Sequence, residues 1–396
     1  MIFVPLNNPS IRNDIPTSFV LIFKALNSEL MKHWLLAIIV ISSLLLINCK
    51  MTQPQENCTL FVGTYTDNGS EGIYKYSFNA EDGQLTQKSL VVKMTNPSFL
   101  KISPNRKNLY AVSEVADFEG ESGSITSFQI EGDSLIKLNA KSTMGEHPCH
   151  VSVSENGNLV AASNYTGGSV VIYGTVENGS LSSDFQFIDH KKLDTTKTSH
   201  AHASQFRGNN LFVADLGLDA VRSYQLQDEK VVFTHEPSLD MVAGAGPRHF
   251  EFGQDGKFLY VINELNSTIT VFKRDKEGFI EVETKSTLAS DFVGESFCAD
   301  IHLSNDGKFL YGSNRGENTI VIFKVDSETG ELALIGREGV HGDWPRNFSI
   351  DPSGKFLLVA NQKSNNISVF KRDQEQGTLD YIHEIELSSP VCLEFP

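Results

Sequence analysis

The 396-residue sequence predicts an all-β fold, a seven-bladed β-propeller whose blades are four-stranded antiparallel sheets. Three observations lead there. One pattern recurs about every fifty residues from Leu60 onward, most plainly in GPRHFEFGQDGKFLYVINELNSTITVFKRDKEG from Gly246 and in its counterparts from Phe297 and Trp344. The leucine of its central strand falls at Leu60, Leu109, Leu159, Leu211, Leu259, Leu310 and Leu357, which makes seven copies. No stretch of the repeat region carries helical periodicity.

The elements follow in chain order. Residues 1–49 read as an N-terminal extension with a signal or lipoprotein segment. Met31-Lys32-His33 is a basic start and 34–47 an apolar core too short to span a bilayer comfortably. Either Met1 or Met31 serves as the start. Leu46-Ile47-Asn48-Cys49 resembles a lipobox, so a lipid anchor at Cys49 and an exported, periplasmic or membrane-anchored protein are expected; a cytoplasmic chain is the alternative. Residues 50–57 are a linker, and 58–396 form the propeller.

Within each copy a short strand such as His249–Gly253 leads into a turn, Gln254-Asp255-Gly256 here and Asn305-Asp306-Gly307 or Pro352-Ser353-Gly354 elsewhere. Glycine or asparagine there supplies the positive φ of a tight hairpin. A second strand (Phe258–Ile262), a polar loop, an alternating third strand (Thr268–Phe272) and a weaker fourth complete the unit. The first copy lacks a first strand, whereas Pro390–Phe395 reads as a first strand standing alone. Placing that tail in the first blade closes the ring and removes the open edge. A closed ring needs no partner, so a monomer is expected.

The formal charge of -16 argues against nucleic acid, which is bound mainly through Lys and Arg. Cys58, Cys149, Cys298 and Cys392 are scattered, without C-x-x-C spacing for zinc or dithiol chemistry. Cys58 and Cys392 fall at opposite ends of neighbouring strands and should not pair. Buried thiols are the expectation.

A hairpin of first and second strands brings the start of one beside the end of the other, at one mouth of the channel in every blade. The first-strand slots hold Ser98, His150, His200 and His202, Arg248 and His249, Asp300, Arg346 and Val391. The second-strand ends hold Thr64, Glu114, Asn164, Asp215, Asn263 and Glu264, Asn314 and Arg315, and Asn361 and Gln362. The recurring asparagines suit turn capping. Arg248, Glu264 and Arg315 interrupt that series with the charges needed for a base and an oxyanion stabiliser. His150, Asp215, His249, Asn314 and Arg346 are candidates for binding substrate.

At these residues the sequence resembles the propeller lactonases, the bacterial 6-phosphogluconolactonase type related to fungal muconate-lactonizing propellers. The resemblance rests on Gly246-Pro247-Arg248-His249, Asn263-Glu264-Leu265, Asn314-Arg315-Gly316, Ala360-Asn361-Gln362, Ser199-His200-Ala201-His202 and Ala214-Asp215-Leu216-Gly217. It implies lactone hydrolysis without a cofactor, with His200 or His202, Arg248, Glu264 and Arg315 as the catalytic set. A small-molecule lactone, phosphorylated or not, is the implied partner. No Gly-x-Ser-x-Gly elbow surrounds a serine. Three rivals are a lactonizing cycloisomerase, a non-catalytic binding propeller, and a calcium-dependent lactonase using oxygens of Glu264, Asn263, Asn314 and Asp215.

Overall fold

The computed structural model describes residues 57–396, apart from 121, 233–237 and 277. The extension, the apolar run 34–47 and Cys49 lie outside the described residues. Seven antiparallel sheets are present, each with its first strand innermost. Blade 5 is representative, with Pro247–Phe252, Phe258–Asn263, Thr268–Arg274 and Phe279–Ser286 paired in that order. Its second strand is buried along its whole length, FLYVIN, because neighbouring blades cover both faces. The fourth strand, FIEVETKS, alternates toward solvent.

Blade 1 takes its innermost strand from the other end of the chain. Pro390–Glu394 pairs with Asn57–Thr64, with Gly63 opposite Cys392 and Phe61 opposite Glu394. Leu393 joins Leu60, Val62 and Phe78 of that blade with Phe356 and Leu358 of blade 7 in one apolar cluster. Burial of each such side chain contributes ~1.5–3 kcal/mol, so closure is a packing event as well as a pairing event. Blade 4 departs from the regular pattern: its outer edge is split into Lys230–Val232 and Leu239–Asp240, both paired with Ala220–Gln227. The four described cysteines are free, and no described helix is long and apolar enough to cross a membrane.

One irregularity positions the functional side chains. Inner strands of every blade but blade 2 carry a β-bulge at their entry. In blade 5 Pro247 pairs with Asn263 and His249 with Ile262, leaving Arg248 between them. The same skip leaves Cys149 in blade 3, His202 in blade 4, Arg346 in blade 7 and Val391 in blade 1. A bulge residue is released from the ladder and can be re-aimed. The hairpin turns at the other end of the strands are regular. Gly256 sits at φ +69° and Arg106 takes the equivalent place in blade 2 at +59°.

Candidate active site

Two sets of residues meet at the bulged mouth. The first is the bulge set, with His202, Arg248 and Arg346 as its basic members. The second follows the last ladder residue of each second strand: Tyr65, Glu114, Tyr165, Leu216, Glu264 and Gln362. In each of these six the backbone N–H is pinned to a carbonyl just before the inner strand, as in Glu264 N to Gly246 O at 2.7 Å and Glu114 N to Asn96 O at 2.9 Å. Arg315, at the end of its strand opposite Phe297, holds that place in blade 6.

One residue earlier lies a different layer. Thr64, Asn164, Asp215, Asn263, Asn314 and Asn361 are all essentially inaccessible. Asn164, Asn314 and Asn361 donate through Nδ2 to the carbonyls of Thr143, Thr287 and Val340, tying the strand end to the incoming loop. Asp215 accepts five hydrogen bonds, from His190 Nδ1, Ser199 Oγ and the backbone N–H groups of His200, Gly217 and Leu218. Asp215 and Asn314, expected at substrate, instead hold the frame, because a saturated buried group has nothing left to offer a ligand. Of the calcium donor set, Asp215 is committed to these five donors. Among the described residues no three His, Cys, Asp or Glu side chains converge on a metal position.

Arg248, Glu264 and Arg315 come together. Glu264 Oε2 lies 2.9 Å from Arg248 Nε and 2.8 Å from Arg315 Nη2. Arg248 Nη1 donates to Ala299 O at 2.6 Å, and Arg315 donates to Phe297 O and Cys298 O through Nε and Nη2. The Arg315 guanidinium also stands 5.3 Å over the Trp344 ring. Arg248 Nη2 and Arg315 Nη1 have no partner among the described residues. Burial works against the charge on Glu264, but Arg315, Arg248 and Arg346 overcome it and hold the carboxyl below its usual range. Burial, with Arg248 nearby, brings Arg315 down to about 10, still cationic at neutral pH.

The two histidines of blade 4 take different places. His200 precedes the strand; its ring stacks on Tyr165 at 4.5 Å and its Nδ1 lies 3.1 Å from Tyr165 O. Donation from Nδ1 to a carbonyl leaves Nε2 as the lone-pair nitrogen of a neutral imidazole. His202 is the bulge residue, buried with its edge to Tyr165 and His249, and its Nδ1 has no hydrogen-bond partner. Burial and then Arg248 push its pKa well below the ordinary histidine value.

His150 and His249 lie one layer deeper, where His150 packs against Phe99 and His249. His249 Nδ1 is 2.7 Å from Asp300 Oδ1, and Asp300 Oδ2 meets His302 Nε2 at 3.0 Å. These residues floor a cavity of about 740 Å³ that opens past Glu155, Arg207 and Pro352 at the far mouth. This cavity is therefore distinct from the arginine-lined mouth. His150, a candidate for binding substrate, faces this cavity and not the arginine clamp. His249 touches the mouth through the His202 ring and through its Nε2, 3.4 Å from Arg248 Nη1. Arg346 remains at the mouth, half-buried.

Sequence reasoning missed Tyr65, Tyr165 and Cys149. The first two occupy the place of Glu264 in their own blades, one residue past the recurring Thr or Asn, and that alignment was the available signal. Cys149 shares the bulge slot with Arg248, but burial pushes its thiol far above the ordinary range, which leaves it a poor nucleophile.

A model of the family described as lactonase, 7-bladed β-propeller, matches residues 59–395. Among curated proteins, a 6-phosphogluconolactonase of Bacillus subtilis is 34% identical over 302 residues, 74% of this chain and 85% of that protein. A 6-phosphogluconolactonase of Formosa agariphila is 38% identical over 308 residues, 74% and 86% of the two chains. Among solved structures, the periplasmic gluconolactonase of Pseudomonas aeruginosa superposes with a TM-score of 0.79 at 31% identity, covering 86% of this chain and 99% of that one.

Proposed function

The chain belongs to the seven-bladed β-propeller lactonase family, and from that footing we propose that it hydrolyses a sugar-acid lactone at the bulged mouth of its channel. It is a carboxylic ester hydrolase acting on a cyclic ester. The observation that carries the site is the clamp of Arg248 and Arg315 on one oxygen of Glu264, with a terminal nitrogen of each arginine left without a partner among the described residues.

Ester hydrolysis builds negative charge on the carbonyl oxygen as water adds. Arg248 Nη2 and Arg315 Nη1 supply fixed cationic donors for that oxygen, and their backbone contacts mean they need not reorganise as charge develops. Glu264 keeps the two like charges together and leaves the mouth moderately rather than strongly positive. With its carboxyl held below the usual range, it is a weak proton acceptor. His200, its Nε2 lone pair set free by the Tyr165 carbonyl, takes the proton from the attacking water. The tetrahedral adduct then collapses; the ring C–O bond breaks, and the proton on His200 passes to the departing alkoxide. The product is an open hydroxy acid whose carboxylate remains between the arginines. His202, neutral and buried beside Arg248, borders the reacting carbon.

The test is hydrolysis by the purified chain of gluconolactone, 6-phosphogluconolactone and a muconolactone, corrected for spontaneous opening. Turnover that is lost in Glu264→Gln and Arg248→Ala supports the reading. No turnover above background on any lactone overturns it in favour of a binding propeller.

Export is part of the same proposal. The basic start, the apolar core at 34–47 and Cys49 support it, as does the periplasmic location of the Pseudomonas relative. Fractionation of cells carrying wild type and Cys49→Ser tests it. Membrane-bound wild type and released variant are expected, and full-length soluble cytoplasmic protein would sink the idea.

A further inference from the structure

The two glutamates that follow second strands occupy one slot in blades 2 and 5, yet their surroundings differ. Glu264 is held by two arginines. Glu114 receives one side-chain hydrogen bond, from Tyr65 Oη to its Oε2 at 2.8 Å, and no described cation reaches it at ion-pair distance. Arg346, the bulge residue of blade 7, places its guanidinium 5.2 Å above the Tyr65 ring. It makes no hydrogen bond or ion pair to a described residue, and it interacts electrostatically with both Glu114 and Glu264. Tyr65, Glu114 and Arg346 are each half-buried.

Ring closure makes blades 7, 1 and 2 consecutive, so these three side chains form one arc of the mouth, beside the clamp of blades 5 and 6. The arc offers the N–H fork of Arg346 and the remaining carboxylate oxygen of Glu114 within one patch of balanced charge. Vicinal hydroxyls, each a donor and an acceptor, satisfy both halves of such a patch. A phosphoryl group carries close to two negative charges and only acceptors. It would suit the arginine but meet Glu114 with like-charge repulsion in a half-desolvated setting. A rim that needed only solvation would leave these groups exposed, and would not stack the arginine on the tyrosine that holds the glutamate.

The geometry points to Tyr65, Glu114 and Arg346 as a subsite for the hydroxylated tail of the lactone, selecting an unphosphorylated polyol over its phosphorylated counterpart. This rests on the lactonase reading and names the substrate class within it. It makes Glu114 a specificity residue, acting on the tail and not on the reacting ester.

The experiment compares wild type, Glu114→Gln and Tyr65→Phe on gluconolactone, 6-phosphogluconolactone and δ-valerolactone, which has no hydroxyls. For Glu114→Gln, KM on gluconolactone should rise ~tenfold with kcat kept within ~twofold, as expected when one charge-assisted hydrogen bond is lost. Its preference for gluconolactone over the phosphorylated lactone should shrink, and δ-valerolactone kinetics should not move. Tyr65→Phe should shift KM in the same direction by less. An equal fall in kcat on all three lactones would overturn the proposal by placing Glu114 in the chemistry, and an unchanged gluconolactone KM would overturn it outright. Calorimetric binding of gluconolactam keeps this test separate from the activity. Lactam binding that weakens ~tenfold in Glu114→Gln upholds the subsite even if no lactone is turned over. Absence of lactam binding by wild type ends it.

Discussion

Asp215 and Glu264 stand in adjacent blades one residue apart in register, and both are carboxylates held below their ordinary pKa. Asp215 spends itself on five donors, three of them backbone N–H groups, and is completely inaccessible. Glu264 spends one oxygen on two arginines, each with one terminal nitrogen unpartnered among the described residues, and its side chain keeps 16% of its surface exposed. A lowered pKa alone therefore does not mark a functional carboxylate. What separates the two is whether the partners retain unused hydrogen-bonding capacity facing an opening.

Variants break or sharpen that contrast, in order of expected effect. Arg315→Ala or Glu264→Gln should lower kcat/KM by ~10²–10³-fold, the scale of losing a preorganised oxyanion donor. Lactonase kinetics on gluconolactone read this directly, and a loss under threefold would place the chemistry elsewhere. Asp215→Ala should do the opposite. Stability should drop by ~3–5 kcal/mol, because buried donors lose their common acceptor. The folded protein at 25 °C should keep kcat/KM within ~threefold, and denaturant melts with parallel kinetics measure both.

Asp300 tests the middle ground, being fully buried like Asp215 yet bonded to the His249 that touches Arg248. In Asp300→Asn, kcat should fall ~tenfold with KM little changed, since His249 loses its fixed tautomer and Arg248 one of its stops. The same variant should alter the pH dependence of stability. Burial opposes the charge on His302, but Asp300 and Glu251 outweigh it and raise the group to about 10. That stabilisation is fully present below the unfolded value near 6.5 and is lost as pH rises toward 10. His302 is 37% exposed to the cavity, so the loss should amount to only ~2–4 °C in Tm for wild type. The slope should flatten in Asp300→Asn, and an unchanged alkaline limb would separate His302 from Asp300. The smallest effect is expected from EDTA, which should leave gluconolactone turnover unchanged; restoration of a chelator loss by calcium would return oxygen-ligand chemistry to the site.

Much of this arrangement was legible in the sequence. The repeat and the orphan strand at Pro390 follow from hydrophobic alternation and turn residues, signals that each blade states again. Arg248, Glu264 and Arg315 stood out because charge broke an asparagine-rich series. The layer to which each residue belongs was not legible, because a bulge adds one residue to a strand without disturbing the alternation beyond it. That single residue decides that His202 joins Arg248 while His150 sits beneath with His249. Asp215 was misread for another reason. Its partner His190 lies 25 residues upstream, in the connection between blades 3 and 4, and no local pattern announces such a contact.

The strand that completes blade 1 follows every other blade in chain order. Until Pro390–Glu394 is available, Asn57–Thr64 presents an unpaired inner edge and the cluster around Leu60, Val62 and Phe78 lacks Leu393. A nascent chain can assemble blades 2 to 7 in turn, but the ring locks only once Pro390–Glu394 has been made. That ordering is a built-in delay: the closed state waits for Pro390–Glu394, and loss of that strand holds the molecule ajar.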